Sequence, residues 1–398
     1  MRVVRYNGAG SPAKQSADST AKTIPGMFPL VEISGPPRDR GRSYGVQAHA
    51  RIRHSIASYA RLFAYCGIDW GDAQMRALGF RDAIAATSTD LLEEIGGIAE
   101  GAGVTEAEIL TLNARTEILP STYSSPPADA WPEALARNRA AAVPDWGECT
   151  ALAVLPGASR DGGTWLAQNW DWIGAQRAAM VLLRVTDQRG RRLLTLTEAG
   201  MLAKIGCNDR GFGVCLNILR SVDDGREPGV PVHVLLRHLL DCDDVDAACA
   251  TARALQHGAS SNILAADRGG HAASIEVSPR GVAVIVPGGG TLAHTNHFLD
   301  PDQAVHAAAL NPLASTEQRL ACALAHAARA PLGRTDIQAL LQDMSGGAFA
   351  VCRFPDESLA PELRIESVAG VVMDLANATM WVAPDVPAKV VFEAISVG

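Results

Sequence analysis

From Phe28 to Ser34 apolar and polar positions alternate, as in a half-buried strand, and Gly35-Pro36-Pro37 ends the run. Tyr44, Ala48, Ile52, Ile56, Tyr59 and Phe63 then recur at steps of three and four, which predicts a long helix with arginines, His49 and His54 on its solvated side. Asp90 to Glu93 and Thr105 to Glu108 resemble capping boxes that open short helices. Gly97, Gly101 and Gly103 lie between them with no strand leading in, so they read as a helix end and not as a phosphate loop. Pro120 to Trp146 is rich in proline, serine and alanine without a period, which predicts a long connection.

The pattern then changes. Thr150 to Leu155 is a short apolar run, Gly157 and Asp161-Gly162-Gly163 supply a turn, and Thr164 to Trp172 follows as a second strand. Further strands are predicted at 180–185, 192–197, 201–207 and 213–219, then a helix pair over 231–240 and 245–255. Strands at 261–266, 272–277 and 282–286 come next, and capped helices open at Ser315 and Thr335. Closing strands are predicted at 348–354, 367–375, 379–382 and 389–393. Helices early and in the middle, with strands dominating after Cys149, give an α+β fold of sheets covered by helices. Residues 1–26 are polar and lack an apolar signal segment, so they are expected to be a disordered tail. The folded unit divides into 27–148, ending in the connection over 120–148, and 149–398.

Composition narrows the function classes. Over 398 residues, 47% hydrophobic and 20% charged describe a globular chain with ample core. A net charge of −8 argues against a nucleic-acid or anionic-membrane surface, and no run approaches the length of a membrane span. The eight cysteines include no CxxC pair, which favours a reducing, cytoplasmic setting. The acidic cluster over 241–246 lacks the spacing of a calcium loop. His294 and His297 have no nearby cysteine or carboxylate in sequence to complete a metal site, so no metal is expected.

One cysteine stands apart. Cys149 sits at the junction between the irregular connection and the first strand of the hairpin. Most cysteines are small buried hydrophobes, and that is the default reading here too. If the chain is cut before Cys149, however, the thiol acquires its own α-amine as neighbour. An amine titrating near ~8 serves a thiol titrating near ~8.5 as base at neutral pH. The same sulfur is placed to make the cut, by attacking the Glu148 carbonyl and passing through a thioester.

Cys149-Thr150 and Gln168-Asn169-Trp170-Asp171 resemble the two central motifs of the acyl-coenzyme A:6-aminopenicillanic acid acyltransferase family, self-cleaving N-terminal nucleophile (Ntn) hydrolases. The likeness extends from about Phe28 to the end, taking in Glu100 to Val104, Leu112 to Glu117, Gly206 to Gly213, Leu292 to Phe298 and Cys352-Arg353. The resemblance implies an αββα sandwich, two antiparallel sheets between helical layers, with pieces 1–148 and 149–398 held together after cleavage. It implies that Asn296 lies in the active site, its side-chain amide bonding a developing oxyanion. Asp171 is expected to orient the α-amine or a neighbouring donor. Arg353 is left between charge stabilisation and a structural ion pair, and Asn113, Arg115 and Glu117 are read as structural anchors.

The expected activity is hydrolysis of a small N-acyl amide through a thioester acyl-enzyme on Cys149, with Asp171 and Asn296 as companions and no cofactor. The alternative is an N-acyltransferase using a coenzyme A thioester as co-substrate. A third reading, of another class, is a non-catalytic binding protein on the same fold. The expected partners are the acyl amide and the chain's own N-terminal fragment, with neither nucleic acid nor membrane.

Overall fold

A computed structural model describes residues 26–119, 149–310, 314–358 and 364–398. The expectations for the tail and for the connection over 120–148, including the Glu148 side of the scissile bond, lie outside the described residues.

The first strand, β1 (Leu30–Ser34), leads into α1 (Pro37–Tyr65), whose first turn carries a proline where a missing N–H costs nothing. The short helices α2 (Trp70–Leu78) and α3 (Arg81–Thr87) precede α4 (Thr89–Ala102). Ser88 caps α4 by accepting from the Leu91 N–H, and Gly103 ends it at φ 64°. The capping box foreseen at Thr105 and Glu108 forms and opens α5 (Glu106–Asn113), followed by α6 (Arg115–Ile118). Gly97 and Gly101 do not end α4. They lie inside it on the face against α1, where a Cβ would collide with the carbonyl oxygens of Arg38 and Arg42. Gly41 and Gly45 of α1 meet α4 backbone in the same way, so the two helices approach at backbone distance.

After residue 148 the chain is mostly strand: β2 (Cys149–Val154), β3 (Trp165–Ile173), β4 (Met180–Thr186), β5 (Arg192–Glu198), β6 (Ile205–Asn208) and β7 (Phe212–Ile218). The helix pair α7 (Val232–Leu239) and α8 (Val245–Arg253) precedes β8 (Ser261–Asp267), β9 (Ala272–Ser278), β10 (Gly281–Ile285) and β11 (Thr291–His294). The chain closes with α9 (Pro301–Ala304), α10 (Thr316–Ala327), α11 (Arg334–Leu341), β12 (Ile365–Asp374), β13 (Thr379–Ala383) and β14 (Glu393–Ser396).

These strands build two sheets. One has the order β1-β4-β5-β6-β7-β8-β9-β10, the other β11-β2-β3-β12-β13-β14. Both are antiparallel except where β1 pairs parallel with β4, a departure from the expected pure antiparallel pattern. The sheets pack face to face through β2 and β3 against β7 and β8; α1 and α8 cover the first sheet, α10 and α11 the second. The result is the expected four-layer α+β sandwich.

Alternation along the central hairpin decides which side chain goes where. Cys149, Ala151, Ala153, Leu166, Trp170 and Trp172 belong to the core that includes the space between the sheets. Leu152, Val154, Trp165 and Ala167 pack instead with Ala323, Ala327, Ile337 and Leu340 of α10 and α11.

Three predicted strands differ. Residues 348–354 form no strand, because side chains hold that backbone in place of a ladder: the Val351 carbonyl accepts from Asn169, and the Arg353 N–H donates to Ser367 Oγ. The strand expected from 201 starts only at Ile205, since the Leu202 N–H donates to Asn113 Oδ1 and the Met201 carbonyl accepts from Tyr44. The strand expected at 389–393 is preceded by a tight turn at Pro387–Lys389 and begins at Glu393. The short β11, absent from the sequence reading, completes the edge beside β2.

Candidate functional site

Cys149 is the first residue of β2 and is fully buried in register with Trp170 of β3. Its backbone is held at both ends. The N–H donates to Asn296 Oδ1 at 2.6 Å, while the carbonyl accepts from Arg319 Nη1 at 2.6 Å and Asn217 Nδ2 at 3.2 Å. Asn217 on β7 is itself fixed by Asn262 Nδ2 of β8, at 3.0 Å, so the first sheet reaches across to position the start of the second.

Asn296 follows β11, in a turn stitched to the start of α10. Its N–H donates to Thr316 Oγ1 at 2.7 Å, and Thr295 Oγ1 donates to the Thr316 carbonyl. The Asn296 amide group donates to the Ile218 carbonyl at 3.0 Å. An oxyanion role, as expected from the sequence, would fall to the second hydrogen of that amide; its oxygen faces the Cys149 nitrogen.

Arg319 was not singled out from the sequence, yet it organises this centre. Fully buried on α10, it donates to Ser315 Oγ at 2.8 Å, to the Cys149 carbonyl and Thr150 Oγ1 at 2.6 and 3.1 Å, and to Asn296 Oδ1 at 3.0 Å. A guanidinium is a donor fork and nothing else, which is what satisfying several oxygens around one point requires. The signal available was an arginine placed one turn into a helix whose buried face is otherwise made of small residues.

Asp171 lies one residue beyond the Cys149–Trp170 pair. Its Oδ1 accepts from Ser367 Oγ at 2.6 Å, and Oδ2 has no partner among the described residues. Ser367 of β12 pairs directly with Asp171, just before an irregularity in the β12–β3 ladder, so the two side chains share a face. The same hydroxyl accepts from the Arg353 N–H at 2.9 Å, so Arg353 joins the network through its backbone.

Electrostatics follow from burial. Burial pushes the Cys149 thiol above its ordinary value; Lys204 pulls it down, the Asp171 charge raises it, and the Asp171 N–H and Arg319 lower it. Burial raises the Asp171 carboxyl to about 7 against the pull of Arg319 and Ser367. Lys204, its ammonium 3.7 Å from the centre of the Trp170 ring, is lowered to about 7, chiefly by burial and then by Arg115.

The rings of His294 and His297 are held by hydrogen bonds to protein oxygens. Both ring nitrogens of His294 meet oxygen, Glu276 Oε1 and the Thr295 carbonyl, each at 2.8 Å, and His297 Nδ1 lies 2.8 Å from Thr316 Oγ1. Among the described residues Cys322, His326 and Asp343 gather three ligand-type atoms within 4.8 Å. There the Asp343 oxygens are already engaged by His326 and Ser345. All eight cysteines are unpaired, and no described helix is long and apolar enough to cross a membrane.

An acyl-coenzyme A:6-aminopenicillanic acid acyl-transferase family profile matches residues 158–388, a span that holds Asp171, Asn296 and Arg319 and begins after Cys149. The 40 kDa form of acyl-coenzyme A:6-aminopenicillanic-acid-acyltransferase from Emericella nidulans is 28% identical over 228 residues, which make up 57% of this chain and 57% of that relative. Among solved structures, conjugated bile acid hydrolase from Clostridium perfringens aligns with a TM-score of 0.41 at 12% identity, covering 62% of this chain and 92% of that one. Penicillin V acylase from Agrobacterium tumefaciens gives 0.36 at 12% identity, over 59% and 82%. With more than half of its length matched, the chain belongs to the acyl-coenzyme A:6-aminopenicillanic acid acyl-transferase family.

Proposed function

We propose that this protein is a self-cleaving N-terminal-cysteine amidohydrolase that releases a small acyl group from an amide through a thioester on Cys149. The observation that carries the reading is the double grip on residue 149, nitrogen by Asn296 and carbonyl by Arg319. A purely structural cysteine at a strand start has no need of a buried arginine and asparagine on its backbone atoms.

In processing, the Cys149 sulfur attacks the Glu148 carbonyl, and the peptide bond rearranges to a thioester with a free α-amine. Water then releases a Glu148 carboxylate and restores the thiol. The new amine has more hydrogens than the amide N–H it replaces. One stays on Asn296 Oδ1, and Asp171 Oδ2, unpartnered and one ladder position away, is the acceptor for another.

In turnover, the amine takes the thiol proton, the sulfur attacks the substrate carbonyl, and the proton passes to the departing amine. Water then attacks the thioester, yielding the carboxylic acid and the thiol. The second hydrogen of the Asn296 amide and nearby N–H groups serve the oxyanion; losing such a donor typically costs ~10²–10³ in rate.

The family's name favours a second reading, in which a coenzyme A thioester donates the acyl group and an amine accepts it from Cys149. We keep hydrolysis first because it needs no second binding site. The unpaired thiols support a reducing, cytoplasmic setting.

The test combines N-terminal sequencing of the purified protein with a panel of acyl amides and acyl thioesters, with and without acceptor amines. A chain starting at Cys149 that hydrolyses amides without acceptor is the expected result. Strict acceptor dependence moves the assignment to transferase. An active protein still joined at residues 148 and 149 overturns the mechanism, and silence on the whole panel favours a binding role.

A further inference from the structure

Along α10, one turn beyond Arg319, three side chains of metal-ligating type come together. Cys322 and His326 are four residues apart and so stand one above the other on the same face of the helix. Asp343, 17 positions beyond His326 and just past α11, brings a carboxylate onto them. Their ligand atoms all lie within 4.8 Å of one another, and His326 Nε2 is 3.1 Å from Asp343 Oδ2. A tetrahedral shell sets nitrogen and oxygen ligands about 3.3 Å apart, and about 3.6 Å where one ligand is sulfur. The three atoms are therefore near the spacing of a shell, and side-chain torsions can close the rest.

The carboxylate is oriented from behind. Asp343 Oδ1 accepts from the Ser345 N–H at 2.8 Å and from Ser345 Oγ at 2.6 Å, which leaves Oδ2 facing His326. Outer hydrogen bonds of this kind fix a ligating carboxylate in place. The main chain is pinned as well, since the Asp343 carbonyl accepts from the Cys352 N–H at 2.8 Å. All three residues are half-buried, with the His326 and Asp343 side chains 12% and 17% exposed. An ion arriving from solvent can reach them, yet most of its surroundings would be protein.

We propose that Cys322 Sγ, His326 Nε2 and Asp343 Oδ2 bind Zn²⁺, with water in the fourth position. A thiolate and an imidazole select zinc over Mg²⁺ or Ca²⁺, and the thiolate and carboxylate together balance its charge. Binding releases the thiol proton to solvent and moves the imidazole proton to Nδ1, so the His326–Asp343 hydrogen bond is exchanged for bonds to the metal. The ion ties α10, which carries Arg319, to the segment after α11. That segment reaches the candidate site too: the Val351 carbonyl accepts from Asn169, and the Arg353 N–H donates to Ser367 Oγ. The site is a staple between two elements that hold the Cys149 and Asp171 networks, and it stands whether or not the amidase reading does.

The experiment takes the purified full chain, strips it with chelator, and titrates it with Co²⁺, Zn²⁺ and Mg²⁺. The expected result is a thiolate-to-cobalt charge-transfer band that saturates at one equivalent and is abolished by Zn²⁺. Zinc should bind roughly a hundredfold more tightly than magnesium and raise Tm by several degrees. Cys322→Ser, a near-isosteric change, should keep the metal-free Tm while losing both the band and the gain with zinc. Cys149→Ala should keep both, which separates this site from the buried thiol of the hairpin. Absence of the band in the natural protein overturns the proposal and needs no variant. So does a band that survives Cys322→Ser but not Cys149→Ala, or equal affinity for zinc and magnesium, which would mean a carboxylate contact alone.

Discussion

Arg319 Nη2 donates to Asn296 Oδ1 at 3.0 Å, and this bond settles which end of the asparagine faces Cys149. Because a guanidinium has no acceptor, the atom it meets must be the oxygen, and the Cys149 N–H then shares that oxygen at 2.6 Å. The orientation follows from chemistry alone.

Cys149→Ala is expected to stay one unbroken chain without turnover, and Cys149→Ser to cut slowly or not at all, since a hydroxyl is the weaker nucleophile at neutral pH. Intact-mass measurement reads both. Two fragments from the alanine variant would end the self-processing proposal.

Removing Arg319 takes a charged donor from the Cys149 carbonyl, Thr150 Oγ1 and Asn296 Oδ1 in a buried site, leaving the first to Asn217 and the last to the Cys149 N–H. Arg319→Ala should therefore lose about 2–3 kcal/mol of stability in urea titrations. Arg319→Lys keeps the charge but not the planar fork, so it should fold better than the alanine variant while turning over ~10²-fold more slowly.

Asn296→Asp separates two roles of one side chain. It preserves an acceptor for the Cys149 nitrogen and deletes the amide donor. We expect cleavage to persist and turnover to fall ~10²–10³-fold. Normal turnover by this variant would exclude Asn296 as an oxyanion donor.

Asp171 gives stability a specific pH dependence. Its carboxyl titrates at about 7 in the fold and near ~3.9 when unfolded, so between those values the folded state binds more protons. Its contribution is complete below the lower value, declines as pH rises, and is gone above about 7. Asp171→Asn should flatten that portion of the curve when unfolding midpoints are compared between pH 4 and pH 8. An unchanged slope would mean that the carboxyl is not buried as described.

Gly97→Ala improves helix propensity by about 1 kcal/mol but drives a methyl into the Arg38 carbonyl. The net effect should be destabilising by about 1–3 kcal/mol, seen as a lowered Tm. A raised Tm would show that α1 and α4 have room to separate.

The sequence by itself determined the hairpin that begins at Cys149, most strands of both sheets, and the helix faces, because strand and helix periodicities are local properties of neighbouring side chains. The same locality misled it where side chains replace a ladder, at 348–354 and 201–204. It also read Gly97 and Gly101 as an end, although their purpose is contact with Arg38 and Arg42 of a much earlier helix. Tertiary structure alone decided that Arg319, 170 positions from Cys149 along the chain, closes on its carbonyl. It alone buried Lys204 against Trp170 with no carboxylate at ion-pair distance among the described residues. The first depends on α10 packing against β2 and the second on two sheets packing face to face, and no local pattern along a chain records which distant polar atoms such packing will bring within 3 Å.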